Sequence, residues 1–247
     1  MTNTGTKESK QKPDYGIDAP GVIRNLLLIG LAILILILIF PVIKIGQVSI
    51  LSVYFMYPGC YFLLTGLLML LYSLYGKYYH RDRLLNMIGW TGQEQVLDVG
   101  TGKGLLMIGA AKRLTSGRSI GIDIWNEEDL TGNEVASVVR NVRIEGVEAN
   151  TEIKTENVMK LTFADSHFDV VLSNLCLHNI YDKAGRKKAC EEIARVLKPG
   201  GVGIISDFRH VREYKKNFIE MGLSAELVYT SFFASFPPLL ILKILKP

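Results

Sequence analysis

The sequence predicts an α/β fold, a doubly wound and mostly parallel sheet, preceded by two transmembrane helices. Three observations carry this reading. Two long uncharged runs, Leu26 to Ile43 and Val48 to Gly76, fill the N-terminal third of the chain. From Arg81 onward, short apolar strands alternate with helical segments of about 10 to 15 residues, the pattern of parallel β-α-β units. The stretch Val96-Leu97-Asp98-Val99-Gly100-Thr101-Gly102-Lys103-Gly104 runs from a strand into a turn with glycine at every second position, where backbone approaches a ligand closely.

Of the 247 residues, 49% are hydrophobic and 21% charged, too apolar for an ordinary soluble domain. The excess sits in the two uncharged runs. The net charge of +4 is not gathered into basic runs, so no nucleic-acid footprint is indicated. Cys60, Cys176 and Cys190 show no CxxC or Cys/His spacing. Neither a disulfide framework nor a metal site is expected, and a reducing cytosol fits.

Residues 1–21 are polar, with Pro13, Gly16, Pro20 and Gly21, and read as a disordered tail. Residues 22–76 read as a helical hairpin. Its first run is long enough for the hydrocarbon core, and Pro41-Val42-Ile43-Lys44 follows it where a signal peptide would need a small-residue cleavage site. The second run is interrupted at Pro58-Gly59, which could divide it into a re-entrant piece and a helix. Lys44-Ile45-Gly46-Gln47 makes the connecting turn. Lys7, Lys10, Lys12 and Arg24 precede the hairpin and Lys77, Arg81 and Arg83 follow it, against Lys44 alone in the turn. The positive-inside rule then places both termini, and the domain over 77–247, in the cytoplasm of an integral membrane protein. Tyr72, Tyr75, Tyr78 and Tyr79 fit an interfacial aromatic belt.

The domain opens with a short helix from Asp82 to Ile88. Strands follow at Gln95 to Val99, Ser119 to Ile124, Thr151 to Thr155, Phe168 to Ser173 and Val202 to Ser206. Helices alternate with them at Leu105 to Leu114, Glu134 to Glu145 and Lys183 to Leu197, the last stopped by Lys198-Pro199-Gly200-Gly201. Arg212 to Met221 is a further helix, and Ala225 to Phe233 and Leu239 to Leu245 are strands across Pro237-Pro238. Sheets of this kind bind ligands beyond the carboxyl ends of their strands.

The glycine turn departs from the dinucleotide pattern GxGxxG, because its third glycine comes one residue early. Gly102 to Leu105 would present free N–H groups at a helix start. Asp98, however, repels a pyrophosphate. S-adenosylmethionine, with an ammonium, a sulfonium and no phosphate, suits the turn better.

Asp98 to Gly104 resembles the first motif, D/E-x-G-x-G-x-G, of the class I (Rossmann-like) S-adenosylmethionine-dependent methyltransferases. Gly121-Ile122-Asp123-Ile124-Trp125 resembles their second-strand motif, Phe168 to Asn174 the fourth-strand motif, and Arg195 to Gly201 the turn before the fifth strand. The resemblance covers about Val96 to Asp207 and excludes the hairpin. It implies a seven-stranded sheet closed by the C-terminal antiparallel strands. It also implies S-adenosylmethionine as cofactor, held by Asp98, Gly100, Thr101, Gly102 and Gly104 at the turn. Asp123 would grip the ribose hydroxyls, about 20 residues on at a strand end, with Ile124 and Trp125 beside the adenosine and Asn174 at the end of the fourth strand. The acidic residue often found after the third strand is replaced by Asn157, whose amide oxygen would accept from the adenine amino group, with Val158 beside the ring.

The family holds acceptors over the loop Ser173 to Tyr181. This loop lacks an Asn-Pro-Pro-Tyr type motif, which argues against nucleic-acid methylation. His178 is its base candidate, with Asp207 and His210 after the fifth strand as second candidates. Three scattered cysteines exclude a metalloid-methylating site. Phe232, Phe233 and Phe236 read either as part of the closing turn or as residues dipping into the membrane. The function expected is a membrane-tethered methyltransferase acting on a small or lipophilic acceptor. The alternative is a non-catalytic membrane protein whose methyltransferase-like domain binds an adenosyl ligand or a partner.

Overall fold

A computed structural model describes residues 11–229 and 235–247, so Phe232 and Phe233 lie outside the described residues. Helix α1 (Pro20–Ile39) begins on a proline, whose fixed φ suits a first turn. It leads into an antiparallel ribbon of β1 (Val42–Ile45) and β2 (Val48–Leu51), where the sequence suggests only a turn. Helix α2 (Met56–Leu71) then packs back along α1. Pro58 does not divide it. As the third residue of α2 it lies in the first turn, where its missing N–H is tolerated. Gly59 serves close helix approach instead, since a Cβ there would lie 2.9 Å from Leu34 Cδ2. Gly30 and Gly66 do the same, with added Cβ atoms falling 2.7 Å from Leu63 Cγ and 2.9 Å from Leu27 Cδ2. Small residues at such a crossing let two apolar helices gain dispersion contacts along their length.

The helix does not stop at the end of the hairpin. A π turn over Tyr72–Gly76 joins α2 to α3 (Lys77–Leu85), so the boundary at residue 77 falls inside one continuous rod. The domain's first helix therefore starts before Asp82. Leu84 and Leu85 at its end are fully buried.

The tail assignment is corrected over residues 14–19, which form an ordered strap. Tyr15 is 3% exposed and its hydroxyl donates to Glu145 Oε1 at 2.9 Å. Ile17 N–H donates to Thr131 Oγ1, Ala19 N–H to the Asp129 carbonyl, and Asp18 N–H to Ser73 Oγ. Lys77 is tied to this strap. The sequence counts it only as part of a basic flank, whereas the ammonium is buried and donates to the Tyr15 and Gly16 carbonyls, 3.6 Å from Asp18. A lysine brought out of water needs such acceptors, and they are supplied by backbone that composition alone marks as disordered. Among the four tyrosines, Tyr72 is buried and Tyr78 packs edge-on against Tyr15, while Tyr75 and Tyr79 are exposed.

The remaining elements are β3 (Gln95–Val99), α4 (Leu105–Ala111), β4 (Arg118–Asp123), α5 (Val135–Glu145), β5 (Thr151–Thr155), β6 (Phe168–Asn174), α6 (Lys183–Val196), β7 (Leu197–Asp207), α7 (Val211–Glu220), β8 (Ser224–Val228) and β9 (Leu240–Leu245). They form a seven-stranded sheet in the order β5-β4-β3-β6-β7-β9-β8, with β9 antiparallel to both neighbours. Side chains alternate across it. Leu97, Val99, Val171 and Ile205 meet α6 and α7 through Ile193, Tyr214 and Phe218, whereas Val96, Leu172 and Ile204 meet α3 and α4 through Leu84, Leu85 and Leu106. Chain order reverses across the centre, β3 having β4 on one side and β6 on the other, which sets a crevice at the carboxyl ends of those strands.

Candidate active site

The glycine turn leaves the end of β3 with Gly100, Gly102 and Gly104 at φ of 72°, 52° and 89°, a left-handed path that side-chain-bearing residues rarely take. A Cβ at Gly100 would collide with Cys176, so the turn and the loop after β6 are in direct contact. The expected free amides are largely engaged inside the protein. Gly100 and Thr101 N–H donate to the Ile122 carbonyl, Gly104 N–H to the Thr101 carbonyl, and Gly102 N–H to Asp123 Oδ2 at 2.8 Å. Such a turn offers little to a phosphate, which agrees with a cofactor that carries none.

Asp98 lies beneath the turn, 1% exposed. Its Oδ2 accepts from Thr101 Oγ1 at 2.8 Å and from Met107 N–H at 2.9 Å, tying turn to helix. Burial pushes its carboxyl up to about 7, and the neighbouring Asp123 adds to this. Asp123 ends β4 and is half-buried; its Oδ1 also accepts from Trp125 N–H at 2.8 Å. Ile124 is exposed, and the Trp125 indole donates to Thr155 Oγ1. Asn157 is exposed on the loop after β5. Its amide oxygen accepts from Met159 N–H at 2.9 Å, a local turn that sequence spacing does not reveal, and Val158 is buried behind it.

Four carboxylates bear on the Cys176 thiol. Burial first, and then Asp123, Asp207, Asp98 and Asp129, raise its pKa far above the usual thiol range, so it stays a neutral thiol. Asp129, on the loop after β4, was not singled out from sequence. Its carboxyl is raised by burial, an effect that His178 opposes. His178 Nδ1 lies 2.9 Å from Asp207 Oδ1, although the ring is not aligned for a full hydrogen bond. Asp207 is fully buried, and its oxygens also accept from His178 N–H and Phe208 N–H. His178 and Asp207 are thus brought together. His210 is not part of that pair: it caps α7 with φ 60°, and its Nδ1 faces Glu213 at 3.7 Å, a carboxylate also held by Arg186. Asn174 ends β6 with its side chain toward α3, beside His80.

A family model described as a methyltransferase domain matches residues 97–205, which run from β3 to β7. This part of the chain is similar to a methyltransferase domain. The chain is 36% identical over 119 residues to a ubiquinone/menaquinone biosynthesis C-methyltransferase UbiE from Hydrogenovibrio crunogenus, covering 48% of this chain and 43% of that protein. It is 33% identical over 143 residues to a demethylmenaquinone methyltransferase from Tropheryma whipplei, covering 58% and 54%. The chain thus spans about half the length of these curated relatives. A putative S-adenosyl-L-methionine-dependent methyltransferase structure from Methanococcus maripaludis superposes with a TM-score of 0.56 at 16% identity, over 74% of this chain and 92% of that one, a likeness of fold.

S-adenosylmethionine is the cofactor of the methyltransferase domain, and the residues present fit it. Carboxylates rather than phosphate-seeking amides surround the turn, and Asp123 stands at the strand end where a ribose diol would lie.

Proposed function

We propose that this protein is a membrane-tethered methyltransferase that alkylates a ring carbon of a lipophilic hydroquinone. The observation that carries the reading is the loop after β6 packed on the glycine turn through Cys176 and Gly100, with the Asp123 carboxylate held at that turn and His178 Nδ1 2.9 Å from Asp207 Oδ1. The turn thus offers a carboxylate to a cationic methyl donor, and the adjoining loop offers one base. The quinone-methylating relatives support the acceptor class.

When bound, S-adenosylmethionine supplies a methyl group already activated on a sulfonium, so transfer needs alignment above all. The acceptor needs more help. A hydroquinone carbon becomes a good nucleophile when its ring hydroxyl loses a proton, and His178 is placed to accept it. Asp207 orients the imidazole and stabilises the imidazolium that forms. After transfer, the methylated ring carbon releases its own proton and aromaticity returns.

The tether is supported by α1 and α2. At about 1.5 Å per residue α1 is roughly 30 Å long, the thickness of a hydrocarbon core. Its outer face is apolar, with Leu38 83% exposed, and Tyr57 on α2 is 80% exposed. Where α1 begins, Ile17, Pro20, Ile23, Leu27 and Leu70 line an apolar groove of about 370 Å³ beside the domain, suited to a lipid tail. Both termini and the domain then face the cytoplasm. A reporter at residue 46 is expected outside and one at the C-terminus inside, and finding both on one side would reject the hairpin.

Incubating membranes and labelled cofactor with the protein should place label in a quinone fraction of the lipid extract. His178→Ala should reduce that transfer by about 100-fold or more without changing cofactor affinity measured by titration calorimetry. Full transfer by the variant would remove the base role. Label in no lipid fraction would sink the acceptor class, and with cofactor binding intact would favour the non-catalytic alternative.

A further inference from the structure

The helix that leaves the hairpin carries a buried polar cluster that the reaction above does not use. His80 on α3 is 1% exposed, and its Nε2 lies 2.7 Å from Ser206 Oγ. Ser206 pairs in register with Asn174 at the carboxyl ends of β7 and β6, so the two side chains share the face of the sheet that α3 covers. Asp207, one residue on, points to the opposite face, where it meets His178. The two polar groups therefore flank the same strand ends from opposite sides.

The α3 cluster is rich in unmet hydrogen-bonding capacity. Tyr72 Oη and Arg83 Nη1 are buried without a hydrogen-bond partner, while His80 and Asn174 bear on each other with Nδ1 and Oδ1 short of full alignment. The Tyr72 and His80 rings stand edge-on, with centroids 6.4 Å apart. Burial, reinforced by Arg83, holds the His80 pKa down to about 4, so its imidazole is neutral and offers one donor and one acceptor. Buried groups of this kind cost stability when unpaired and are kept where a ligand completes them. The π turn at Tyr72–Gly76 is a second, independent mark, because such bulges concentrate at functional sites.

We propose that His80, with Tyr72, Arg83 and Asn174, forms an acceptor subsite that binds an oxygen of a hydroxyl-bearing aromatic ring, on the side of the strand ends opposite His178. This inference rests on the hydroquinone reading. Arg83 and Tyr72 are donors and Asn174 Oδ1 is an acceptor, a set that matches a hydroxyl, which both accepts and donates, and not an apolar ring edge. A ring with two oxygens would then be held from both sides, while a ring with one would be held by His178 alone. Tyr72, His80 and Arg83 come from the rod that continues the hairpin, so the element proposed to sit in the membrane would also read the acceptor.

The test is binding to full-length, detergent-solubilised protein saturated with S-adenosylhomocysteine. The probes are a short-chain 1,4-naphthohydroquinone and 1-naphthol. Wild type should prefer the hydroquinone by tenfold or more. His80→Phe, which keeps the volume, and Ser206→Ala, which frees the other side of the imidazole bond, should each erode that preference at least fivefold, with 1-naphthol affinity and S-adenosylhomocysteine affinity unchanged. Unchanged preference in a variant that still binds S-adenosylhomocysteine would overturn the subsite and leave the hydroquinone reading standing. If wild type bound S-adenosylhomocysteine but neither ring, the hydroquinone reading would fall, and the subsite with it. Should His80→Phe lose S-adenosylhomocysteine binding, Ser206→Ala decides on the same criterion.

Discussion

Replacing Asp123 with alanine is expected to weaken S-adenosylmethionine binding by about two orders of magnitude or more. A carboxylate bridging two ribose hydroxyls makes two charge-assisted hydrogen bonds, each worth roughly 1.5–3 kcal/mol. Losing both corresponds to a factor of at least 100. The substitution also releases the turn itself, because Asp123 Oδ2 holds Gly102 N–H and Oδ1 holds Trp125 N–H. Asp123→Asn separates the two contributions. It keeps one acceptor oxygen for the turn but loses the negative charge, and should bind between wild type and the alanine variant. Titration calorimetry reads the affinities, and the thermal unfolding midpoint without ligand reports whether the turn has collapsed. Wild-type affinity in Asp123→Ala would remove this residue from the cofactor site.

Asp98→Asn is expected to change both the pH dependence of stability and that of cofactor binding. The folded carboxyl titrates near 7 against an ordinary 3.8. Between those values the folded chain keeps a proton that the unfolded chain has released, so wild-type stability falls as pH rises from about 4 to about 7 and then levels off. The amide has no charge to bury. Its stability should be flat across that window, with a relative gain on the order of 4 kcal/mol at neutral pH as an upper bound. Melting curves between pH 5 and 8 measure this. Cofactor binding responds with the opposite sign. A cationic ligand favours ionised Asp98, so wild-type affinity should rise severalfold from pH 6 to pH 8. In Asp98→Asn affinity is expected to be weaker and nearly constant. A wild-type affinity that does not change with pH would place Asp98 beyond the reach of the ligand's charge.

The order of strands and helices along the chain, the glycine turn and the place of Asp123 at a strand end were legible in the residues alone, because each rests on a local rule. Apolar alternation makes a strand such as Thr151–Thr155 wherever it is placed, and the φ values of Gly100, Gly102 and Gly104 demand glycine whatever surrounds them. The uncharged runs likewise specify two long apolar helices through composition. Only the tertiary structure decided what depends on partners distant in sequence. His80 and Ser206 are 126 positions apart, and Lys77 finds its carbonyls in a strap whose composition reads as disorder. His178 and His210 look alike as candidate bases, yet one meets the buried Asp207 and the other Glu213. Asn157 turns its oxygen onto its own backbone, a choice among acceptors that composition leaves open. The glycine turn is therefore a local property of this chain, whereas the crevice around it is set by long-range burial, since a buried polar group must take whichever partner the packing brings within reach.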